Sequence, residues 1–418
     1  MAIVATGSEL VRGDRRDRNG PFLAGAVLSL GLDPARITLV GDDPDELEAA
    51  LREGFQADLC VVSGGLGPTH DDRTVEMVAR AAGVDLVVDV ELESEIEAIS
   101  RSYAERLGRP YADFAHGVRK QATLPAGAVS IGLAGTAPGF VLQTAGSAVV
   151  VLPGPPGELQ RLWPGALENA AVRGVVARAR PRERRTLRLY GVSESSVART
   201  LHNAGGEGDG LDVTVCARDF EIHVDTLVER GAETRADALA ATLRAEHERH
   251  VFAEDERPVE EIVLGLARAL GLSVATAESC TGGLVAERLT SIPGSSDVFV
   301  GGIVAYADAV KESELGVPTV VLRDHGAVSA ETAAAMAQGV RERLRADVGL
   351  AVTGVAGPGG GSPEKPVGLV YVHVETPDGG RGVDFSYPAD RESIRRRAAV
   401  AALHLARRLL SQSQHDHA

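Results

Sequence analysis

The chain has 418 residues, with 43 Lys and Arg against 59 Asp and Glu, a formal charge of −16 that argues against a protein built to wrap nucleic acid. Its three cysteines, Cys60, Cys216 and Cys280, are far apart and form no Cys-x-x-Cys pair, so neither a disulfide framework nor a structural zinc site is expected and a reducing cytoplasm is the natural compartment. No apolar run reaches the ~18 residues a membrane span needs, and Met1–Gly7 lacks a basic leader, so a soluble, unexported chain of two to three domains is expected.

From the start, short apolar runs alternate with amphipathic segments. They comprise a strand at Ile3–Ala5, a helix near Pro21–Leu30, a strand at Arg36–Val40, a helix near Pro44–Gly54, a strand at Leu59–Ser63 and a helix near Arg73–Ala82. This alternation predicts a parallel sheet covered by helices, an α/β class. The Leu59 strand runs into Ser63-Gly64-Gly65-Leu66-Gly67-Pro68-Thr69, then Asp71-Asp72. Glycines there would let a phosphate approach the backbone, and the two aspartates could hold a divalent cation. A Gly-rich turn with Asp at a helix start also serves as plain capping.

Between Pro181 and Asp255 the texture changes to a basic start, strands at Thr186–Leu189, Leu211–Cys216 and Glu221–Leu227, and a helix from about Thr234 to His250. This predicts a small α+β unit. Its Gly205–Gly210 loop carries Glu207 and Asp209, which would repel phosphate, so a structural or dimer-building role is expected over RNA binding. Charges and a proline at Glu254–Pro258 mark a boundary.

Beyond it, the apolar run Leu272–Ala277 ends in Glu278-Ser279-Cys280-Thr281-Gly282-Gly283 just before a helical pattern. A strand-to-helix turn of this kind places side chains at the carboxyl edge of a parallel sheet. Alone it is as consistent with an N-cap and a tight turn. Thr353-Gly354 followed by Gly357–Gly361 looks like a second strand end and loop at the same edge.

These residues, with Gly301–Tyr306, Lys311, Leu315-Gly316-Val317, His325–Ser329 and Lys365–Gly368, resemble the C-terminal domain of the CinA family, also called PncC, from about Pro258 to Leu410. Gly7–Leu10, Asp17, Asn19, Val40–Asp43, Gly64–Thr74, Gly135–Gly139 and Leu152–Glu158 resemble its N-terminal domain, related to the molybdopterin-binding proteins MogA, MoaB and MoeA. Two stretches depart from that pattern, Ile131–Ala134 and Arg15–Asn19. The resemblance implies a pterin-binding-type (MoaB/MogA-like) α/β domain over 1–172, a small α+β KH-like linker domain over 173–256 and an α/β CinA/PncC amidohydrolase domain over 257–418.

For the last domain it implies deamidation of nicotinamide mononucleotide to nicotinate mononucleotide and ammonia, without cofactor. Ser279 would be the nucleophile. Lys311, whose burial would favour a neutral amine, would accept its proton. Tyr306 would hydrogen-bond Lys311 or the oxyanion, and the N–H groups around Thr281, Gly282 and Gly283 would form the oxyanion hole. Thr353, Gly354, Arg391 and Arg395 complete the substrate site, with Arg391 as the expected phosphate ligand and Arg396 and Arg397 as readily a charged helix face. Cys280 is the rival nucleophile, and His325 is expected behind the first layer of the site.

For the N-terminal domain, some members hydrolyse the pyrophosphate of ADP-ribose with a divalent metal (magnesium or cobalt) and potassium. Gly64, Gly65, Gly67, Thr69, Thr136 and Glu158 would form its phosphate site, and Asp71 and Asp72 would hold the metal. The family also implies a homodimer. A non-enzymatic scaffold linked to competence or DNA damage is the alternative.

Overall fold

The computed structural model describes residues 1–416. The chain divides into two compact units, Met1–Glu183 and the remainder from Arg184. Among the described residues, no helix is long and apolar enough to cross a membrane.

The first unit is built on a six-stranded sheet in the order Arg36–Val40, Ala2–Thr6, Leu59–Ser63, Ala148–Leu152, Pro138–Gln143, Val129–Leu133. The first four strands are parallel and the last two join antiparallel. The three central strands, AIVAT, LCVVS and AVVVL, are buried along their whole length. Such continuous apolar runs are what a sheet covered on both faces demands. One face buries Val4, Cys60, Val62 and Val149 with Leu47, Leu51 and Met77, and the other Ile3, Leu59, Val61 and Val150 with Leu23, Leu159 and Trp163. The Pro44–Gly54 helix starts where expected because Asp43 accepts the N–H groups of Asp45 and Glu46 and a proline fills the first turn. From Ala2–Thr6 the chain goes first to one side of that strand and then to the other. The carboxyl ends of Ala2–Thr6 and Leu59–Ser63 therefore flank a topological switch point, the place where such sheets bind ligands.

The second unit holds two sheets. One is four-stranded, in the order Leu211–Arg218, Glu221–Val228, Glu183–Tyr190, Val251–Ala253, with the helices Glu194–Asn203 and Glu233–His247. The other is five-stranded, in the order Phe299–Val304, Val274–Glu278, Val348–Gly354, Leu369–Thr376, Gly379–Ser386, its first three strands parallel and its last two an antiparallel hairpin. The helices Val259–Leu270 and Arg391–Asp416 cover one face, and Ala330–Leu344 the other. The 254–258 stretch expected as a boundary lies between the Val251–Ala253 strand and the Val259–Leu270 helix, inside this unit.

Candidate active site

The Val274–Glu278 strand is buried at every position, between parallel neighbours on both sides. It delivers Glu278, only 1% exposed, to the carboxyl edge of the sheet. There the chain turns, with φ of 61° at Gly282 and 98° at Gly283, a left-handed region that glycine enters at no steric cost. The Glu278 carboxylate folds back over this turn and accepts the N–H groups of Gly283 (3.0 Å), Val285 (3.0 Å) and Ala286 (2.9 Å). Gly282 donates its N–H to the Ser279 carbonyl at 3.1 Å.

The oxyanion hole expected from the sequence is corrected by these bonds. The N–H groups of Gly282 and Gly283 are already spent, on Ser279 and Glu278. That of Thr281 finds no acceptor among the described residues, and that of Cys280 meets only its own thiol. Ser279 is 7% exposed and is anchored by its own N–H to the Val352 carbonyl at 2.9 Å. Glu278 is not among the expected site residues, although a carboxylate one residue ahead of a Ser/Thr/Gly turn, with free helix N–H groups just beyond, is the signal the sequence offers for it.

The C-terminal helix ties this turn to the rest of the site. Arg395 donates to the carbonyls of Cys280 (3.1 Å) and Thr281 (2.6 Å). One turn earlier, Arg391 donates to the Gly357 carbonyl (2.6 Å) and the Tyr306 hydroxyl (3.1 Å). All four bonds end on neutral oxygens, so both guanidiniums keep a charge that an anion could use. They line a depression of about 480 Å3 with Leu284, Glu392 and Arg396.

Lys311 is 1% exposed, and its Nζ donates to the Tyr306 carbonyl at 3.2 Å and reaches Asp308 at 3.4 Å. The expected Tyr306–Lys311 bond thus forms through the tyrosine backbone; the ring is 61% exposed and faces Arg391. Thr353 is buried beside the turn, with its hydroxyl committed to the Ala327 carbonyl at 2.7 Å. At Gly354 any Cβ would lie 2.8 Å from the Leu369 carbonyl, so a glycine is required for strand packing there. Arg396 pairs with Asp219, and Arg397 lies over the Tyr387 ring at 4.3 Å, both as members of the helix face. His325 lies 3.4 Å from Glu331, and its carbonyl accepts from Lys365. Burial pushes the Cys280 thiol up to about 12, against a weaker opposing bond from its own backbone and with the nearby Glu278 charge adding to the rise. That environment makes it a poor thiolate nucleophile.

In the first unit a cleft of about 840 Å3 opens at the switch point. It brings together Gly64, Gly65, Gly67, Asp71, Asp72, Thr136 and Glu158, with Asp42 and Asn19. Gly64 has φ 108°, and a Cβ there would lie 2.4 Å from the Thr6 carbonyl. Thr69 lies on the far side of the loop, in an adjoining groove with His116 and Lys120, and its hydroxyl bonds Asp71 and Asp72. That hydroxyl, then the backbone N–H of Asp71, hold the Asp71 carboxyl below its ordinary range. Burial pushes the Glu158 carboxyl up, with Arg161 partly opposing. Among the described residues no group of three or more His, Cys, Asp or Glu is gathered to hold a metal. A magnesium-type ion needs only one or two carboxylates besides water and substrate phosphate, and the exposed Asp71 with the half-buried Asp72 beside it fits that donor set.

Residues 256–410 match the CinA C-terminal domain and residues 2–170 a probable molybdopterin binding domain. The chain is 43% identical over 419 residues to a CinA-like protein of Mycobacterium leprae (98% of this chain, 97% of the relative). It is 44% identical over 423 residues to one of Mycobacterium tuberculosis (98% and 97%). Among solved structures, the competence/damage inducible protein CihA from Agrobacterium tumefaciens is 42% identical, covering 38% of this chain and 99% of its own, with a TM-score of 0.36.

Proposed function

The chain belongs to the CinA family, and on that premise we propose that its C-terminal site hydrolyses the carboxamide of nicotinamide mononucleotide, giving nicotinate mononucleotide and ammonia. The observation that carries this reading is the pair Arg391 and Arg395. Two cations bound, among the described residues, to neutral oxygens alone bracket the Ser279 turn, where a substrate with one phosphate and one amide would need them.

In this mechanism Ser279 Oγ attacks the amide carbon while its proton passes to Lys311. The carbonyl oxygen becomes an oxyanion held by the N–H groups of Cys280 and Thr281. As the tetrahedral species collapses, the C–N bond breaks and Lys311 returns the proton to the departing nitrogen, which leaves as ammonia. Water then attacks the acyl ester on Ser279, giving its proton to Lys311, and Ser279 leaves reprotonated with the carboxylate product released. No step calls on a metal. Arg391 and Arg395 hold the phosphate, and the Tyr306 ring, attached to Arg391, orients the guanidinium.

Ammonia release from nicotinamide mononucleotide by metal-free protein tests this reading. Wild-type release, lost in Ser279→Ala and in Lys311→Ala, is expected. No release from well-folded wild type would overturn it and favour a scaffold role. The cytoplasmic placement and the homodimer implied by the family belong to the same proposal, and light scattering on the purified protein tests the dimer.

The cleft of the first unit favours a second activity, metal-dependent cleavage of the ADP-ribose pyrophosphate. Its glycines would cradle the phosphates beside Thr136, and Glu158, its carboxyl raised by burial, would serve as the acid. Asp71 and Asp72 would hold magnesium or cobalt, which would supply charge neutralisation of the pyrophosphate, and potassium would assist. Asp71→Ala should abolish this cleavage and spare deamidation.

A further inference from the structure

We propose that Glu278 is a positioning residue for amide hydrolysis: by occupying the N–H groups of Gly283, Val285 and Ala286, its carboxylate fixes the turn in the one arrangement that leaves the N–H groups of Cys280 and Thr281 for the oxyanion. The inference rests on the reading of Ser279 as the nucleophile and says how its turn is held.

The peptide planes of the turn are pinned one by one. In a trans peptide the C=O of one residue and the N–H of the next point in opposite directions, so a bond to the carbonyl also aims the N–H. The Ser279 carbonyl accepts from Gly282, which aims the N–H of Cys280 away from Gly282. The Cys280 carbonyl accepts from Arg395 at 3.1 Å, which aims the N–H of Thr281 away from that guanidinium. The Thr281 carbonyl is held by Arg395 and the following N–H by Ser279. Only the Gly282–Gly283 plane remains, with both residues at positive φ where glycine is freest to rotate, and Glu278 fixes it through the Gly283 N–H.

A structural filler would not need to be a carboxylate. Glu278 is almost wholly buried and makes no ion pair among the described residues; its charge is met by three N–H donors at 2.9–3.0 Å. Oε2 takes Gly283 and Val285, and Oε1 takes Ala286. A glutamine of the same shape has one acceptor oxygen, and its NH2 would face an N–H donor, so one end of the clamp must open. The same arrangement removes these N–H groups from any substrate anion and leaves phosphate recognition to Arg391 and Arg395.

The test is steady-state deamidation of nicotinamide mononucleotide by the full-length protein carrying Glu278→Gln or Glu278→Asp, with circular dichroism to confirm the fold. Misaiming an oxyanion donor should lower kcat on the order of 100-fold in Glu278→Gln while KM moves less than about threefold. Glu278→Asp, which keeps both acceptor oxygens on a shorter arm, should recover about tenfold of that loss. A folded Glu278→Gln with kcat within about threefold of wild type, or a loss carried in KM, would overturn the inference. If Glu278→Gln does not fold, Glu278→Asp decides: its kcat should be about tenfold below wild type at unchanged KM, and parity with wild type would overturn the inference. Wild-type protein that releases no ammonia would overturn the function reading and this inference together. Active wild type with an undiminished Glu278→Gln would overturn this inference alone.

Discussion

His404 Nε2 lies 2.7 Å from Glu221 Oε1, joining the C-terminal helix to the Glu221–Val228 strand through a wholly buried pair. The imidazole stacks on Tyr190 at 3.7 Å and meets Phe252 edge-on at 4.7 Å, while its Nδ1 has no partner among the described residues. The geometry suits a neutral ring that donates from Nε2 to a carboxylate. Burial lowers the His404 pKa to about 4, overcoming the opposite pull of Glu221, with Arg407 and Arg408 also lowering it. Burial alone would raise Glu221, but the hydrogen bonds from His223 and His404 outweigh it and bring the carboxyl down to about 2. Both folded values lie below the unfolded ones, so the folded state binds fewer protons. The His404 contribution is full above about 6.5 and falls as pH drops toward 4; that of Glu221 is full above about 4.5 and falls toward 2. The Tm of the second unit should therefore decline from pH 7 to pH 4, and His404→Gln should flatten that decline. A wild-type Tm that rises over this interval would contradict the neutral assignment.

On the proposed reading, Arg391 should serve phosphate recognition apart from amide chemistry. A charge-assisted hydrogen bond to a phosphate is worth about 1.5–3 kcal/mol, or roughly 10- to 150-fold in binding. Arg391→Met should raise KM for nicotinamide mononucleotide by such a factor and change turnover of the phosphate-free riboside far less. Equal losses on both substrates would mean that Arg391 acts through its bonds to Gly357 and Tyr306 alone.

Much of the fold was legible because local signals and tertiary demands agree. The strands Arg36–Val40 and Leu59–Ser63 and the helix Pro44–Gly54 fall where the apolar runs and the amphipathic segment place them. The helices Val90–Leu107 and Ala112–Gln121 and the strands from Val129 to Leu152 leave a weaker mark in the sequence. Val90 and Leu107 are exposed apolar ends, which blur the helical stripe, and Val129–Leu133 is a half-exposed edge strand containing Gly132. At the site, residue types marked the turn but not its bonds. Glu278 reads as an ordinary charged residue until the strand buries it, and a Tyr306–Lys311 contact through a backbone carbonyl leaves no trace in side-chain chemistry. Arg395 is one of three consecutive arginines, and only the helix phase shows that it meets the turn.

Cys280 should be dispensable. With its thiol buried and raised to about 12, almost no thiolate forms at neutral pH. Cys280→Ala should keep kcat within about threefold of wild type, because the replacement leaves the backbone N–H in place and removes only a small buried sulfur. A thiol reagent should label the exposed Cys216 of native protein and pass over Cys60 and Cys280. If Cys280→Ala abolished ammonia release while Ser279→Ala retained it, the nucleophile would be the thiol.

Gly339 sits inside the Ala330–Leu344 helix, where alanine would ordinarily gain about 1 kcal/mol in helix propensity. Here sterics decide the sign. A Cβ at 339 would fall 1.8 Å from the Leu315 carbonyl oxygen and 2.7 Å from its carbon, both backbone atoms that cannot rotate away. Leu315 ends the Asp308–Leu315 helix that carries Lys311, so relief of the clash must push that helix away from the Ala330–Leu344 helix. Gly339→Ala should cost about 3 kcal/mol of stability by urea denaturation, at the upper end of overpacking effects. In the fraction that remains folded, kcat should fall further than stability alone explains, since a shift of about 1 Å at a proton carrier costs on the order of 100-fold. A stable Gly339→Ala protein with full deamidase activity would show that the two helices can separate without disturbing Lys311, and would remove the packing argument for its placement.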